Sequence, residues 1–318
     1  MSTQHTPNFG IGVTLALLAA VGFSAKAIFV KLAYFSAPID AITLLALRMA
    51  FSVPVFIGAA IWSSRQPGAK TLHRRDWLLI VGLGCIGYYL SSLLDFMGLK
   101  YLNAGLERLI LFLYPTMTVL LSAAIFKHPV SRRHIVALVI SYAGIALAFA
   151  HQLTHRSNDM LLGAGLVFAS TFSYSAYLTG AGHAIRRIGT IRFTSLTMTV
   201  ASAITLAHFT ATHTLSALHL PGRIYGLGLG MAVFSTVLPV FMLSASIRII
   251  NPGRTALIGS IGPVATIFMG YLFLNETIDR LQIAGSILVL AGVLLISLSS
   301  QQRSAPAPAT EIPAAQPD

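Results

Sequence analysis

The sequence predicts an all-α membrane protein of about ten transmembrane helices, arranged as two inverted five-helix repeats. Three observations carry that expectation. Charged residues make up only 9% of the 318 positions and apolar residues 55%, with a mean hydropathy of +0.78. A soluble domain carries charge on about a quarter of its residues to solvate its surface, so a globule of this size in water is excluded. Apolar runs of about 20 residues, the length that crosses a bilayer core, recur along the chain with short connections. Finally, the second half repeats the first at a shift of 148 residues.

The spans read as 11–33, 41–62, 77–99, 104–126, 132–150, 160–181, 190–210, 224–247, 254–274 and 280–299. Turn residues mark several connections: Ser36-Ala37-Pro38, Asn103-Ala104-Gly105, Lys127-His128-Pro129 and Asn251-Pro252-Gly253. The organisation expected is a short N-terminal tail (1–10), a first repeat (11–150), a second repeat (151–300) and a tail (301–318). That last stretch is rich in Ala and Pro and reads as disordered. The first ten residues hold no Lys or Arg ahead of a long apolar span, which reads as a retained first helix rather than a cleaved leader.

At the 148-residue shift Asn103-Ala104-Gly105 falls on Asn251-Pro252-Gly253, Pro115 on Pro263, Arg132 on Arg280 and Ala143-Gly144 on Ala291-Gly292. A shift of 149 brings Phe23-Ser24 onto Phe172-Ser173. Each repeat holds an odd number of spans, so the second must sit upside down relative to the first. Inverted repeats characterise secondary transporters, with the site near the midplane between the halves. With the N-terminus inside, the inner segments hold 13 Lys and Arg residues and the outer loops 6, which places both termini in the cytoplasm.

The net charge of +12 does not point to nucleic acid, because the basic residues fall mostly in loops between spans. A single cysteine, Cys85, excludes an internal disulfide, and the ten histidines show no metal-ligand spacing. Neither a metal nor a cofactor is expected. Gly82-Leu83-Gly84-Cys85-Ile86-Gly87 matches a dinucleotide fingerprint but lies inside a span with no strand before it. Its glycines, like Gly226 and Gly230, read as places of close helix packing.

The residues Gly98-Leu99-Lys100-Tyr101-Leu102-Asn103-Ala104-Gly105 with Tyr114-Pro115 carry a family likeness. So do Gly262-Pro263, Asn275-Glu276-Thr277, Gln282-Ile283-Ala284-Gly285 and Ala291-Gly292-Val293. Over nearly all of residues 10–300 the chain resembles the drug/metabolite transporter superfamily, and within it the ten-helix EamA-like members. The resemblance implies a central cavity lined by spans 1, 3, 4, 6, 8 and 9, and export of amino acids or related metabolites.

A charge at mid-helix costs roughly 2.5–3.5 kcal/mol on insertion scales, so such residues are kept for pairing or for function. Lys26, Arg48, Asp95, Glu107 and Arg108 lie in or near the spans of the first repeat, all toward the outer end. Lys26 or Arg108 would hold a substrate carboxylate and Asp95 an amine or a proton; structural ion pairing explains the same residues without a ligand. Arg48 reads as an arginine that snorkels to the bilayer surface. Tyr88, Ser91 and Asp95 share one face of the third span, and Tyr174 sits in a polar, aromatic stretch of the sixth. The substrate-binding candidates are thus Lys26, Tyr88, Ser91, Asp95, Arg108 and Tyr174. Pro115 and Pro263, at equivalent points of spans 4 and 9, are candidate helix interruptions for gating.

The function expected is a secondary transporter in the inner (plasma) membrane. It would export small metabolites by alternating access, with a small-molecule substrate and the bilayer as its partners. A membrane-embedded enzyme acting on a lipid-like substrate would need a catalytic constellation at a membrane face, and none stands out, so no enzyme is expected. A channel fits the inverted repeat less well.

Overall fold

The structure, a computed structural model, describes residues 8–127, 132–153 and 158–303. The described residues form ten long helices: α1 (Asn8–Ser36), α2 (Ala41–Ser64), α3 (Arg74–Gly98), α4 (Ala104–Leu111 and Tyr114–Phe126), α5 (Arg132–Leu153), α6 (Asn158–Ile188), α7 (Thr190–Thr212), α8 (Gly222–Ile250), α9 (Pro252–Gly259 and Gly262–Leu274) and α10 (Arg280–Arg303). No strand occurs among the described residues. Seven of these helices are long and apolar enough to cross a membrane, and α5 and α10 contain shorter apolar stretches at Ile135–Ala150 and Arg280–Leu295. The remaining one, α7, is rich in Ser and Thr, whose hydroxyls are returned to the backbone one turn earlier, as from Ser202 to Met198 O (2.8 Å). His128, Pro129, Arg156 and the tail beyond Arg303 lie outside the described residues. Residues 301–303, assigned to the tail from sequence, continue α10.

The repeat is written into local backbone devices. Asn103 Oδ1 caps α4 by accepting from Leu106 N (2.8 Å), and 148 residues later Asn251 Oδ1 accepts from Arg254 N (3.1 Å). Wide π-turns occupy Cys85–Leu90 in α3 and Val233–Val237 in α8. Both α4 and α9 break at equivalent points, Phe112-Leu113 and Ser260-Ile261. The second half-helices end on residues in the left-handed region, Lys127 (φ 54°) and Asn275 (φ 52°). Pro115 and Pro263 stand in the first turn of those half-helices. There the missing N–H removes no hydrogen bond, so the interruption lies ahead of each proline rather than as a kink around it.

Packing between the repeats follows a twofold pattern. Helix α1 packs on α8 and α9, α6 packs on α3 and α4, α2 faces α7, and α5 faces α10. Exchanging the repeats leaves that set unchanged. The closest approaches are glycine-mediated: a β-carbon at Gly285 would lie 2.3 Å from Gly144 O, and one at Gly292 would lie 2.6 Å from Ala137 O. Not every glycine works this way. Gly82 and Gly226, expected to pack closely, have open space where a side chain would go.

These contacts correct the register of the first and sixth helices. Gly12 meets Ile249 and Ile250, and Gly163 meets Tyr101 and Leu102. Ser24 Oγ donates to Gly262 O (2.9 Å), and Ser175 Oγ donates to Tyr114 O (3.2 Å). The equivalence is therefore Ser24 with Ser175, a shift of 151, and Lys26 corresponds to Tyr177 rather than to Ser175. The cause is the connector: residues 37–40 join α1 to α2, while Gly189 alone joins α6 to α7.

Candidate functional site

A cavity of about 430 Å³ lies between the repeats, lined by α1, α2, α3, α4, α6, α7, α8 and α9. All six residues singled out from sequence, Lys26, Tyr88, Ser91, Asp95, Arg108 and Tyr174, line it; neither Pro115 nor Pro263 does. Two helices beyond the expected six, α2 and α7, contribute Arg48, Thr190, Thr194 and Met198.

One end of the cavity gathers the charges. Lys26 Nζ donates to Asp95 Oδ2 and to Glu107 Oε1 (2.9 Å), so a single ammonium from α1 joins carboxylates on α3 and α4. Glu107 is fully buried, and Glu107 Oε2 and Asp95 Oδ1 have no hydrogen-bond partner among the described residues. Lys26 and Asp95 are thus joined directly to each other. Arg48 does not snorkel. It is 5% exposed, donates to Ser92 Oγ (3.1 Å) and lies 5.1 Å above the Phe96 ring, because α2 is packed between other helices where its Arg would otherwise meet lipid. Arg108 faces the cavity over the break in α9: a β-carbon at Gly262 would lie 2.8 Å from its Nη2.

Aromatic rings form the wall beside the charges. Tyr88 and Tyr177 have centroids 4.9 Å apart and share a hydroxyl hydrogen bond of 3.2 Å; Tyr174 stacks on Tyr177 at 5.7 Å, and Tyr114 meets Tyr174 edge-on at 5.8 Å. A β-carbon at Gly87 would lie 2.3 Å from the Tyr177 ring, so the middle of α3 is glycine to admit that ring. Ser91 and Ser170 join α3 to α6, with Ser170 Oγ donating to Ser91 O (2.7 Å). Phe172, within the stretch of α6 expected to face the cavity, points outward and is 50% exposed. Tyr177 belongs to the polar, aromatic stretch of the sixth span read from the sequence; Tyr114 was not among the site candidates, and its signal was its nearness in sequence to Arg108.

The two ends of the cavity differ. Where α1 ends and α2 begins, Tyr34 Oη donates to Phe96 O (2.7 Å) and Lys31 Nζ to Leu102 O (2.8 Å), tying α1 to the end of α3. Behind them Leu44, Leu45 and Leu99 belong to a fully buried cluster. In the loop after α9, Glu276 accepts from Ala104 N (2.9 Å). Burial raises its carboxyl above the ordinary range, while the Ala104 amide and Lys31 act in the opposite sense. At the other end, the twofold counterparts of Tyr34 and Phe96 are Ile185 and Ser244, which form no hydrogen bond with each other and line the cavity with Ile247 and the exposed Thr190. The cavity is therefore closed at the end where α1 finishes and extends to the end where α1 starts.

The sequence profile of the EamA-like transporter family matches residues 10–150 and 161–298. Similar proteins include the uncharacterized transporter YcbK of Bacillus subtilis, 31% identical over 281 residues that cover 86% of this chain and 88% of that one. The uncharacterized transporter sll1319 of Synechocystis is 21% identical, covering 90% and 93%. Protein PecM of Dickeya dadantii is 23% identical, covering 71% and 76%. A solved crystal structure superposes with a TM-score of 0.63 at 14% identity over 92% of this chain and 99% of its own, a likeness of fold alone. This chain, a two-repeat membrane protein with a charged and aromatic cavity between its halves, belongs to the EamA-like transporter family.

Proposed function

We propose that the protein is a secondary transporter that exports amino acids or related small metabolites by alternating access. It would lie in the inner membrane with both termini in the cytoplasm. The observation that carries this reading is the unequal pair of gates on a twofold frame. The ties Tyr34–Phe96 and Lys31–Leu102 close one end, while Ile185 and Ser244, the counterparts of Tyr34 and Phe96, form no such tie and line the cavity. Two similar halves in opposite orientations have two equivalent arrangements, so opening the first gate while closing the second converts one access state into the other. With the termini in the cytoplasm, the cavity faces the cytoplasm, the state that loads an exported substrate. Lys26, Tyr88, Ser91, Asp95, Arg108 and Tyr174 then form the substrate site, directly or by holding one another in place. The breaks ahead of Pro115 and Pro263 act as hinges.

Counterflow in proteoliposomes tests the reading. Preloaded unlabelled metabolite should accelerate uptake of its labelled form above the equilibrium level. Simple equilibration without overshoot would indicate a channel, and chemical conversion of the label an enzyme.

A further inference from the structure

The five charges at the closed end of the cavity, of which Arg48, Asp95 and Glu107 are buried, divide unequally. Lys26 is shared by Asp95 and Glu107, so that group carries one positive against two negative charges. Among the described residues neither Arg48 nor Arg108 forms an ion pair with a carboxylate. Guanidinium stays protonated in proteins, so with every group ionised the closed end of the cavity carries an excess of one positive charge. The Nε atoms of both arginines are buried without a hydrogen-bond partner among the described residues. Arg108 donates no hydrogen bond to any described residue, and Arg48 donates only to the neutral Ser92 hydroxyl. A guanidinium taken out of water and left with open donors is costly unless an acceptor arrives. Asp95 Oδ1 and Glu107 Oε2 are open as well, but both carboxylates already share the Lys26 ammonium, so the two guanidiniums are the charges at this end that no counter-ion touches among the described residues.

We infer that this end of the cavity binds the carboxylate of a small organic anion of net charge −1, with Arg108 as its anchor and Arg48 as the second cation. The apolar body of that anion lies against Tyr88, Tyr114, Tyr174 and Tyr177. Arginine suits the task because its planar fork of donors matches both oxygens of a carboxylate. The tyrosine rings supply a flat, largely apolar wall with hydroxyls at its edge. The inference rests on the proposed transport reading and narrows it. Among amino acids and their relatives it selects the members with an extra carboxylate, or with the amine removed or acylated, over neutral zwitterions.

Three probes with one body separate the charge classes: 3-phenylpropanoate, phenylalanine and phenethylamine, titrated calorimetrically onto the purified protein in neutral detergent. The expected result is binding of 3-phenylpropanoate at least tenfold tighter than phenylalanine, with no heat from phenethylamine. Arg108→Gln should weaken the anion at least tenfold, and Arg108→Lys, which keeps the charge without the fork, less than Arg108→Gln does. If Arg108→Gln yields no folded protein, Arg48→Gln carries the test and should weaken the anion at least threefold. Equal or tighter binding of the zwitterion or the amine, no binding by any probe, or unchanged binding in the variant tested would overturn the inference. Counterflow of labelled 3-phenylpropanoate separates it from the broader reading. Binding that depends on Arg108 without counterflow leaves the anion site and removes the transporter. Counterflow of zwitterions without anion binding does the reverse.

Discussion

Lys26 shows how far one half-buried residue can serve two ends. It stands against two carboxylates that have no other cation bonded to them among the described residues, so Lys26→Met would leave Asp95 and Glu107 buried and unpaired. Removing one partner of a buried pair costs about 3–5 kcal/mol, and we expect a large drop in the melting temperature of the detergent-purified protein. The triple variant Lys26→Met/Asp95→Asn/Glu107→Gln should regain most of it, because all three charges leave together. If the triple variant also transports fully, the group is a structural element only. Asp40 gives a second case outside the spans. Burial alone would raise its carboxyl, but hydrogen bonds from the Thr43 hydroxyl and amide, with His213 and the Ile42 amide, hold it below the ordinary range. Its ionised form caps α2 through Ile42 N (2.9 Å) and Thr43 N (3.0 Å). A depressed carboxylate contributes stability above its unfolded value and loses it as pH falls through the folded one. Asp40→Ala should therefore cost about 1 kcal/mol at neutral pH and progressively less in acid, followed by thermal unfolding across pH 3–7.

At the scale of elements, the seam between α5 and α10 depends on backbones that almost touch. Gly285 has Gly144 O and Ala148 where a side chain would stand. Gly285→Val would force the helices apart, and overpacking of this kind costs about 1–3 kcal/mol. Neither helix lines the cavity, so substrate affinity of the folded fraction should be unchanged when measured beside the lowered melting temperature. A fall in affinity matching the loss of stability would mean that the seam sets the shape of the cavity. The broken helices α4 and α9 behave differently. Their prolines stand just after the break and lose no hydrogen bond there, so Pro115→Ala and Pro263→Ala should alter transport rate more than stability. Equal loss of both would make the prolines static.

For the whole molecule, the prediction concerns which end is open and which side it faces. On a Cys85→Ser background, a cysteine at position 70 should resist an impermeant reagent added to intact cells, since the connection between α2 and α3 is expected on the cytoplasmic side. Tyr34→Phe removes the tie to Phe96 O at the closed end. A cysteine at Ser92, on the cavity wall, should then become several-fold more reactive toward reagent from outside as the equilibrium shifts. Unchanged reactivity there would show that Tyr34 does not hold the gate.

How much of this was legible beforehand follows from what each feature depends on. Span length, turn residues and the 148-residue echo are local properties, repeated often enough to survive exchange of apolar side chains, and they determined the helices, the two repeats and the family by themselves. The unusual cost of charge in hydrocarbon singled out Lys26, Asp95 and Arg108, and the aromatic stretch of α6 singled out Tyr174. Partnership was not legible, because apolar helices offer many near-equivalent registers and only backbone approach, as at Gly12 and Gly163, selects one. Tertiary structure alone therefore decided that Lys26 matches Tyr177, that Arg48 turns inward beside Ser92, and that Lys26 binds both Asp95 and Glu107. It also decided which gate is shut. Two halves of one pattern have two arrangements of similar energy, and a sequence that encodes both does not state which of them a given structure holds.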